Sequence, residues 1–270
     1  MSAISFIFMR CGRLLLAAGC LWFGLNAGHA APAENIQQHA QPGPTSSDPR
    51  SSAPGITSVI ELFTSQGCSS CPPADRLFSA LARDPNTVAL TFPINYWDFI
   101  GWKDTLAEPA FTARQKAYAA SRGETHVYTP QAVIDGLIDT VGSDRAAIEH
   151  ATATYRGRDG ALSIAMQMQE ANGVLHISVG PGKGAPAAVY VVRVMRSRSV
   201  TIGRGENSGR TVTYTNVVRA MSKIGEWNGT AQEFSLTELR GEDEGYVVLL
   251  QQGSAERPGV ILAAAKSANL

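Results

Sequence analysis

Two cysteines separated by two residues, Cys68 and Cys71, follow an apolar run that predicts a buried strand over 57–64. Apolar residues at helical spacing then predict a helix over 74–83, which can begin as early as Pro72. The pair therefore lies at a helix N-terminus, where unpaired backbone N–H groups and the helix dipole stabilise a thiolate. This combination predicts a redox centre in which Cys68 attacks a substrate disulfide and Cys71 resolves the mixed disulfide.

The N-terminal residues 1–30 predict an export signal. Arg10 and Arg13 precede an apolar stretch, 14–25, and small residues then lead to a cleavage site after Ala30. We therefore expect a periplasmic or secreted protein.

Three alternatives concern the same segment. The run before the two arginines is unusually apolar for a charged region, so Met9 is an alternative start. A membrane anchor is the second alternative, although 14–25 is shorter than the roughly twenty apolar residues that span a bilayer. The third is lipidation at Cys20, which ends a lipoprotein-like sequence and would attach the chain to a membrane.

Removal of the signal changes the cysteine content. Of the 4 cysteines, Cys11 and Cys20 leave with the signal, and Cys68 and Cys71 remain. An exported chain with one CxxC pair has no other disulfide framework in an oxidising compartment. A structural disulfide is the alternative, but a four-residue loop constrains the unfolded chain less than a long loop does.

Residues 31–55 are rich in Pro, Ser and Gln and have no apolar periodicity, which predicts a disordered linker. This linker is either a tether or a plain spacer after the signal. The chain has 270 residues, with 23 Lys+Arg against 23 Asp+Glu. Its length leaves room for two domains, and its balanced charge gives no indication of nucleic-acid binding.

An aromatic loop lies between the second predicted strand, 87–94, and a helix predicted over 108–122. Aromatic side chains near a redox centre are consistent with a substrate groove, but they equally serve to cap a core beside a long loop. The candidate groove residues are Tyr96, Trp97, Asp98 and Trp102.

Two apolar runs flank Asp135-Gly136, which predicts a β-hairpin. Thr129-Pro130 stands at the head of the first run, where no ladder donor is needed and a cis peptide bond fits. Asp144 then predicts the N-cap of a further helix that ends near Tyr155.

The order strand, CxxC, helix, strand, helix, Thr-Pro, hairpin, helix resembles the thioredoxin fold, here over 56–157. The chain is also similar to a bacterial family of exported thioredoxin-like proteins catalogued as a domain of unknown function. The matching segments are 61–75, 96–98 with 101–102, and 203–207 with 209–210. The resemblance implies substrate docking at Thr129 and Pro130 and no cofactor besides the redox-active disulfide. It makes Glu61 a candidate proton relay for the second cysteine, and it supplies no substrate.

After a predicted domain boundary near 156–160, the sequence pattern changes from helical periodicity to short strands separated by turn signals. Residues 158–270 are therefore predicted to form a separate all-β, sandwich-like domain. The predicted strands cover 162–169, 174–179, 187–195, 211–219, 245–251 and 260–265. A Gly-rich polar loop, 203–209, lies among several arginines. It does not join a strand to a helix as a phosphate cradle does, which favours a hairpin turn over a site for an acidic group.

Three functional classes follow from these patterns. The first is an exported thiol-disulfide oxidoreductase that acts on protein or small-molecule disulfides, or exchanges electrons with an upstream redox partner. The second is a copper or zinc delivery module that uses the same two thiolates, although no nearby histidine completes a ligand set and we predict no metal site. The third is a non-catalytic interaction protein whose CxxC is a stable disulfide.

Overall fold

The computed structural model describes residues 55–184, 186–237 and 241–270. Within these ranges the protein is mostly β. In chain order the elements are β1 (Ser58–Thr64), α1 (Pro72–Leu81), β2 (Thr87–Pro93), α2 (Pro109–Ser121), β3 (Gln131–Ile134), β4 (Ile138–Val141), α3 (Arg145–Tyr155), β5 (Met166–Ala171), β6 (Val174–Val179), β7 (Ala187–Thr201), β8 (Thr211–Trp227), β9 (Gln232–Thr237), β10 (Glu244–Gly253) and β11 (Pro258–Lys266). The predicted signal peptide and all but the end of the predicted linker lie outside the described residues.

Strands from both halves of the chain form one 8-stranded mixed sheet in the order β11-β10-β7-β8-β2-β1-β3-β4. The two halves meet where β2 runs parallel to β8, at Thr91 and Val217. Thr91 Oγ1 donates to the Thr215 carbonyl at 2.6 Å, and Asn216 Nδ2 donates to the Ala89 carbonyl at 3.0 Å. Side-chain hydrogen bonds thus reinforce a junction that has few backbone pairs.

Side chains alternate between the two faces of the large sheet, as the strand period of two requires. From β1, Val59 and Phe63 pack into a cluster with Tyr118 of α2. Ile60 and Leu62 point to the other face, where they pack in a cluster with residues of α1 and α3. A second, 3-stranded sheet, β5-β6-β9, covers part of the C-terminal half of the large sheet through its own apolar cluster.

The predicted fold class, an α/β thioredoxin-like domain followed by an all-β sandwich-like domain, is wrong. The large sheet contains the four strands β1, β2, β3 and β4 together with β7, β8, β10 and β11. One apolar cluster also contains residues from both halves of the chain. Long-range pairing decides this outcome, because local periodicity identifies a strand but not its partner. Strands β7 and β8 are also longer than predicted, with 15 and 17 residues.

Strand β9 has no counterpart among the predicted strands, although its exposure alternates along the sequence as expected for an amphipathic strand. None of the described helices is both long and apolar enough to cross a membrane.

Candidate functional site

Cys68 and Cys71 form a disulfide at the start of α1, with their Cα atoms 5.4 Å apart. Cys71 is the N-cap of α1, and its carbonyl accepts hydrogen bonds from the backbone N–H groups of Ala74 and Asp75 at 2.8 and 3.1 Å. Prolines are tolerated at the first positions of this helix because no intrahelical partner is available there for a backbone N–H. The prediction that the two cysteines lie between a strand and the N-terminus of a helix is therefore confirmed.

The disulfide is buried, with Cys68 1% exposed and Cys71 0% exposed. The two residues between them, Ser69 and Ser70, are exposed. The Ser70 hydroxyl lies 3.3 Å from Cys68 Sγ and donates to the Thr129 carbonyl at 3.4 Å. A thiolate therefore reaches the sulfurs only after the loop around them moves.

The two predicted docking residues lie beside this turn. The Thr129-Pro130 peptide bond is cis, as the sequence predicts, and Pro130 is buried at the head of β3. Thr129 Oγ1 accepts a hydrogen bond from Trp97 Nε1 at 2.8 Å. The structure therefore brings Thr129, Pro130 and one of the predicted groove aromatics to the disulfide loop.

The aromatic loop contributes side chains to both the core and the surface. Tyr96 and Trp97 are half-buried and pack against the cluster that contains α2. Trp97 stacks on Phe99 with ring centroids 6.3 Å apart, and Phe99 is 81% exposed. A Cβ added at Gly67 would lie 3.0 Å from Trp97 Cβ, so a larger residue there would press on the aromatic loop.

Trp102 and Asp98, the other two candidate groove residues, organise the loop that precedes Cys68. Trp102 Nε1 donates to Gln66 Oε1 at 2.7 Å. Asp98 Oδ1 accepts from the backbone N–H of Asp104 at 3.0 Å, and Asp104 Oδ2 accepts from the backbone N–H of Gln66 at 2.8 Å. Trp102 therefore supports the disulfide loop directly and Asp98 supports it through Asp104, and Asp98 and Asp104 also line a surface cavity with Lys103 and Glu108.

The loop between β7 and β8 also reaches the disulfide. Asn207 is 1% exposed, and its Nδ2 donates to the carbonyls of Gln66 and Cys68 at 2.9 and 2.8 Å. Arg210 donates to Asn207 Oδ1 at 3.2 Å and orients the amide. The prediction of a hairpin turn over 203–209 is confirmed, since β7 pairs antiparallel with β8 on both sides of it. Sequence reasoning missed the role of Asn207, which only long-range contacts reveal.

Glu61, the predicted proton relay, lies on the face of β1 opposite α1. It is 0% exposed, and its carboxylate accepts from Arg114 Nε at 2.8 Å and from the Tyr118 hydroxyl. Gln251 of β10 completes this network through Arg114 and Tyr118. The structure thus places Glu61 in a buried ion pair that ties α2 to the sheet.

A different carboxyl, Asp75, lies on the disulfide side of the sheet. It is 2% exposed, its Oδ1 accepts from Thr64 Oγ1 at 2.8 Å, and its Oδ2 has no hydrogen-bond partner. Burial raises the pKa of Asp75 to about 8, and the neighbouring carboxyl of Asp104 adds to the increase. Burial likewise raises the pKa of Asp104 to about 6. The sequence signal for Asp75 is its position four residues after Cys71.

No group of three or more His, Cys, Asp and Glu side chains in the described parts of the chain has an arrangement that could hold a metal ion.

Fold and site together define a mostly β protein in which a mixed sheet carries a buried, helix-capping disulfide. The chain belongs to the family described as protein of unknown function (DUF1223), whose model matches residues 59–251. Comparison with curated proteins gives no significant match.

Two solved structures are similar to this chain. The crystal structure of protein AGR_C_4864 from Agrobacterium tumefaciens is 29% identical, with a TM-score of 0.72 over 80% of this chain and 95% of that one. HBP35 of Porphyromonas gingivalis is 11% identical, with a TM-score of 0.56 over 80% of this chain and 76% of that one, and this likeness concerns the fold alone.

Proposed function

We propose that this protein is a thiol-disulfide oxidoreductase of the periplasm or the extracellular space. Cys68 forms the mixed disulfide with a protein or small-molecule partner, and Cys71 resolves it. Thr129 and Pro130 receive the backbone of the partner, and the disulfide itself is the only redox group required. The export-type N-terminal sequence supports the oxidising location.

One observation carries the proposal. The disulfide lies at the N-terminus of α1, and the exposed Ser69-Ser70 turn between its two cysteines contacts the Thr129 carbonyl through the Ser70 hydroxyl. A short loop at a helix N-terminus favours a thiolate once the disulfide opens, because the backbone N–H groups and the helix dipole stabilise negative charge there.

Burial of both sulfurs supports a second candidate, a non-catalytic interaction protein with a structural disulfide. Thiol-disulfide exchange requires in-line access of a thiolate to a sulfur atom, and neither cysteine offers this while the turn is closed. The two candidates differ in whether the disulfide reacts while the rest of the protein stays folded.

Reduction under native conditions tests this difference. The oxidised protein is equilibrated with glutathione redox buffers, its free thiols are counted by alkylation and mass spectrometry, and its fold is followed by circular dichroism. We expect reversible reduction of the disulfide without loss of structure. Reduction that proceeds only at the rate of global unfolding would instead establish the structural disulfide.

Single-cysteine variants then assign the two roles. Cys71→Ser leaves Cys68, whose Sγ lies 3.3 Å from the hydroxyl of the exposed Ser70, whereas Cys68→Ser, the matched control, leaves Cys71 at the N-cap of α1. With glutathione disulfide as the probe, we expect the first variant to form the mixed disulfide faster than the second. Equal rates would contradict the assignment of Cys68 as the attacking cysteine.

A further inference from the structure

Asn207 lies in the loop between β7 and β8, yet its side chain binds the disulfide segment of the N-terminal half. It is 1% exposed, and its Nδ2 donates to two carbonyls, that of Gln66 at 2.9 Å and that of Cys68 at 2.8 Å. Arg210 Nη1 donates to its Oδ1 at 3.2 Å. The amide is therefore oriented from one side and binds the disulfide segment with the other.

The loop that carries Asn207 is a fixed support. Ile202 at its start is 0% exposed and belongs to an apolar cluster against which Trp102 packs. A Cβ added at Gly203 would lie 3.0 Å from Trp102 Cζ3, so this loop and the aromatic loop are in close contact. The backbone N–H of Ile202 donates to the Arg210 carbonyl at 2.9 Å and closes the loop. Asn207 is therefore held in place independently of the two carbonyls that it binds.

The two carbonyls differ in their freedom to move. Gln66 is fixed by two further bonds, because Asp104 Oδ2 accepts from its backbone N–H at 2.8 Å and its Oε1 accepts from Trp102 Nε1 at 2.7 Å. Cys68, in contrast, directly precedes the exposed turn of two serines. Asn207 thus ties a residue beside a solvent-exposed turn to one that is fixed.

Reduction of the disulfide requires one of the two cysteines to move. Bonded sulfur atoms lie about 2 Å apart, whereas the sulfurs of two thiols are separated by at least a van der Waals distance, about 3.5–4 Å. Cys71 is the N-cap of α1, and its carbonyl accepts from the backbone N–H groups of Ala74 and Asp75, so the helix keeps it in place. We therefore expect Cys68 to move when the bond breaks, and its carbonyl to leave Asn207.

We propose that Asn207 is a positioning residue that holds Cys68 in the oxidised centre and thereby stabilises the disulfide over the two thiols. The inference deepens the proposed oxidoreductase function and rests on it. The hydrogen bond to the Cys68 carbonyl belongs to the oxidised form alone, whereas the bond to Gln66 belongs to both forms. Loss of the amide therefore shifts the equilibrium toward the thiols by the equivalent of one hydrogen bond, about 5-fold. A rate constant instead registers every bond that breaks before a thiolate reaches the sulfurs.

A redox titration of the folded full-length protein measures this shift. In a glutathione buffer, two glutathione thiols give two electrons and two protons to the Cys68–Cys71 bond and leave as glutathione disulfide. Alkylation and mass spectrometry of the peptide that contains both cysteines give the reduced fraction. We expect an equilibrium constant for reduction about 5-fold larger in Asn207→Asp, whose side chain has the same size but no donor, and in Asn207→Ala, which adds no charge.

A control variant and a thermodynamic cycle separate this role from a purely structural one. Ser208→Ala is the matched control, because Ser208 Oγ donates to the Gly203 carbonyl within the same loop, and it should keep the wild-type equilibrium constant. Urea denaturation of the oxidised and the reduced protein completes the cycle. A residue that only supports the fold stabilises both forms equally, whereas Asn207→Asp should destabilise the oxidised form more than the reduced form.

The outcomes are distinct. A wild-type protein that is not reduced while folded would overturn the proposed function and this inference with it. If the wild type is reduced reversibly and both Asn207 variants keep its equilibrium constant, only the role of Asn207 is overturned. A shift in Asn207→Asp alone would result from the introduced charge, and an equal shift in Ser208→Ala would result from a general loosening of the loop. Either result would also overturn this role.

Discussion

Replacement of Asp75 by asparagine should remove most of the loss of stability that the wild-type protein shows between pH 6 and pH 8. In the unfolded chain an aspartate ionises near its usual pKa of 3.8, whereas the folded protein holds this carboxyl protonated up to pH about 8. A carboxyl whose pKa rises on folding stabilises the protein most at low pH, and the contribution is lost as the pH rises toward the folded pKa.

The size of the effect follows from the two pKa values. Each pH unit between them lowers the free energy of unfolding by about 1.4 kcal/mol. Asp104 and Asp135, whose pKa values are raised to about 6, act in the same direction but only below that pH. From pH 6 to pH 8 Asp75 therefore acts alone among these three carboxyls, with a loss of at most about 3 kcal/mol.

Urea denaturation of the oxidised protein at pH 6, 7 and 8 measures this loss. Asparagine has nearly the same size and carries no charge, so we expect the free energy of unfolding of Asp75→Asn to change little over this range. Asp135→Asn should instead flatten the curve only below pH 6. Parallel curves for the wild type and Asp75→Asn between pH 6 and pH 8 would refute the reasoning.

Three further predictions concern the support of the site. Asn207→Asp removes the donor that holds two carbonyls of the disulfide loop, at about 1 kcal/mol for each lost hydrogen bond, so native-state reduction should accelerate about 30-fold; an unchanged rate would show that this loop does not limit access. Gly67→Ala forces a Cβ against Trp97 and should lower the free energy of unfolding by about 1–3 kcal/mol, and a wild-type denaturation midpoint would contradict the tight contact. Arg114→Ala leaves Glu61 as an unpaired buried charge and should cost about 3–5 kcal/mol by the same measurement, with Arg122→Ala at the C-cap of the same helix as the control for a less buried pair.

The elements that the sequence predicts well are those that depend on neighbouring residues. The turn at Asp135-Gly136 is confirmed with positive φ at both residues, and the hairpin at Asn172-Gly173 has the same feature. Asp144 caps α3 by accepting from the backbone N–H of Ala147. Each of these signals lies within a few residues of its structural consequence.

The global arrangement depends on contacts that no local pattern contains. The junction of β2 with β8 joins Thr91 to Val217, two residues far apart in sequence. Apolar strands of similar composition can form one sheet or two separate sheets. Their spacing along the chain does not determine which of the two arrangements forms. The prediction of a separate sandwich-like domain is wrong because four of its six strands, β7, β8, β10 and β11, extend the first sheet, whereas β5 and β6 form the second sheet with β9.

The same dependence on long-range contacts affects the prediction that Glu61 is a proton relay. The thioredoxin resemblance implies Glu61 as a proton relay for the second cysteine. The strand period of two places Glu61 with Val59 and Phe63, on the face of β1 away from α1, where it pairs with Arg114 of α2. That period can be read from the sequence, but only the position of α1 shows which face of β1 the disulfide shares.

The C-terminal half supports the disulfide segment because its longest hairpin, β7-β8, contacts that segment at two places. Near the β2 junction, Ser79 of α1 and Thr215 of β8 are joined by a hydrogen bond of 2.7 Å. At the tip of the same hairpin, Asn207 holds the Cys68 carbonyl. Both ends of the segment that carries the disulfide are therefore fixed to β7 and β8 or their loop. We therefore expect a movement that exposes the sulfurs to occur between these two anchors, where the exposed Ser69-Ser70 turn lies, or to begin with the release of Asn207.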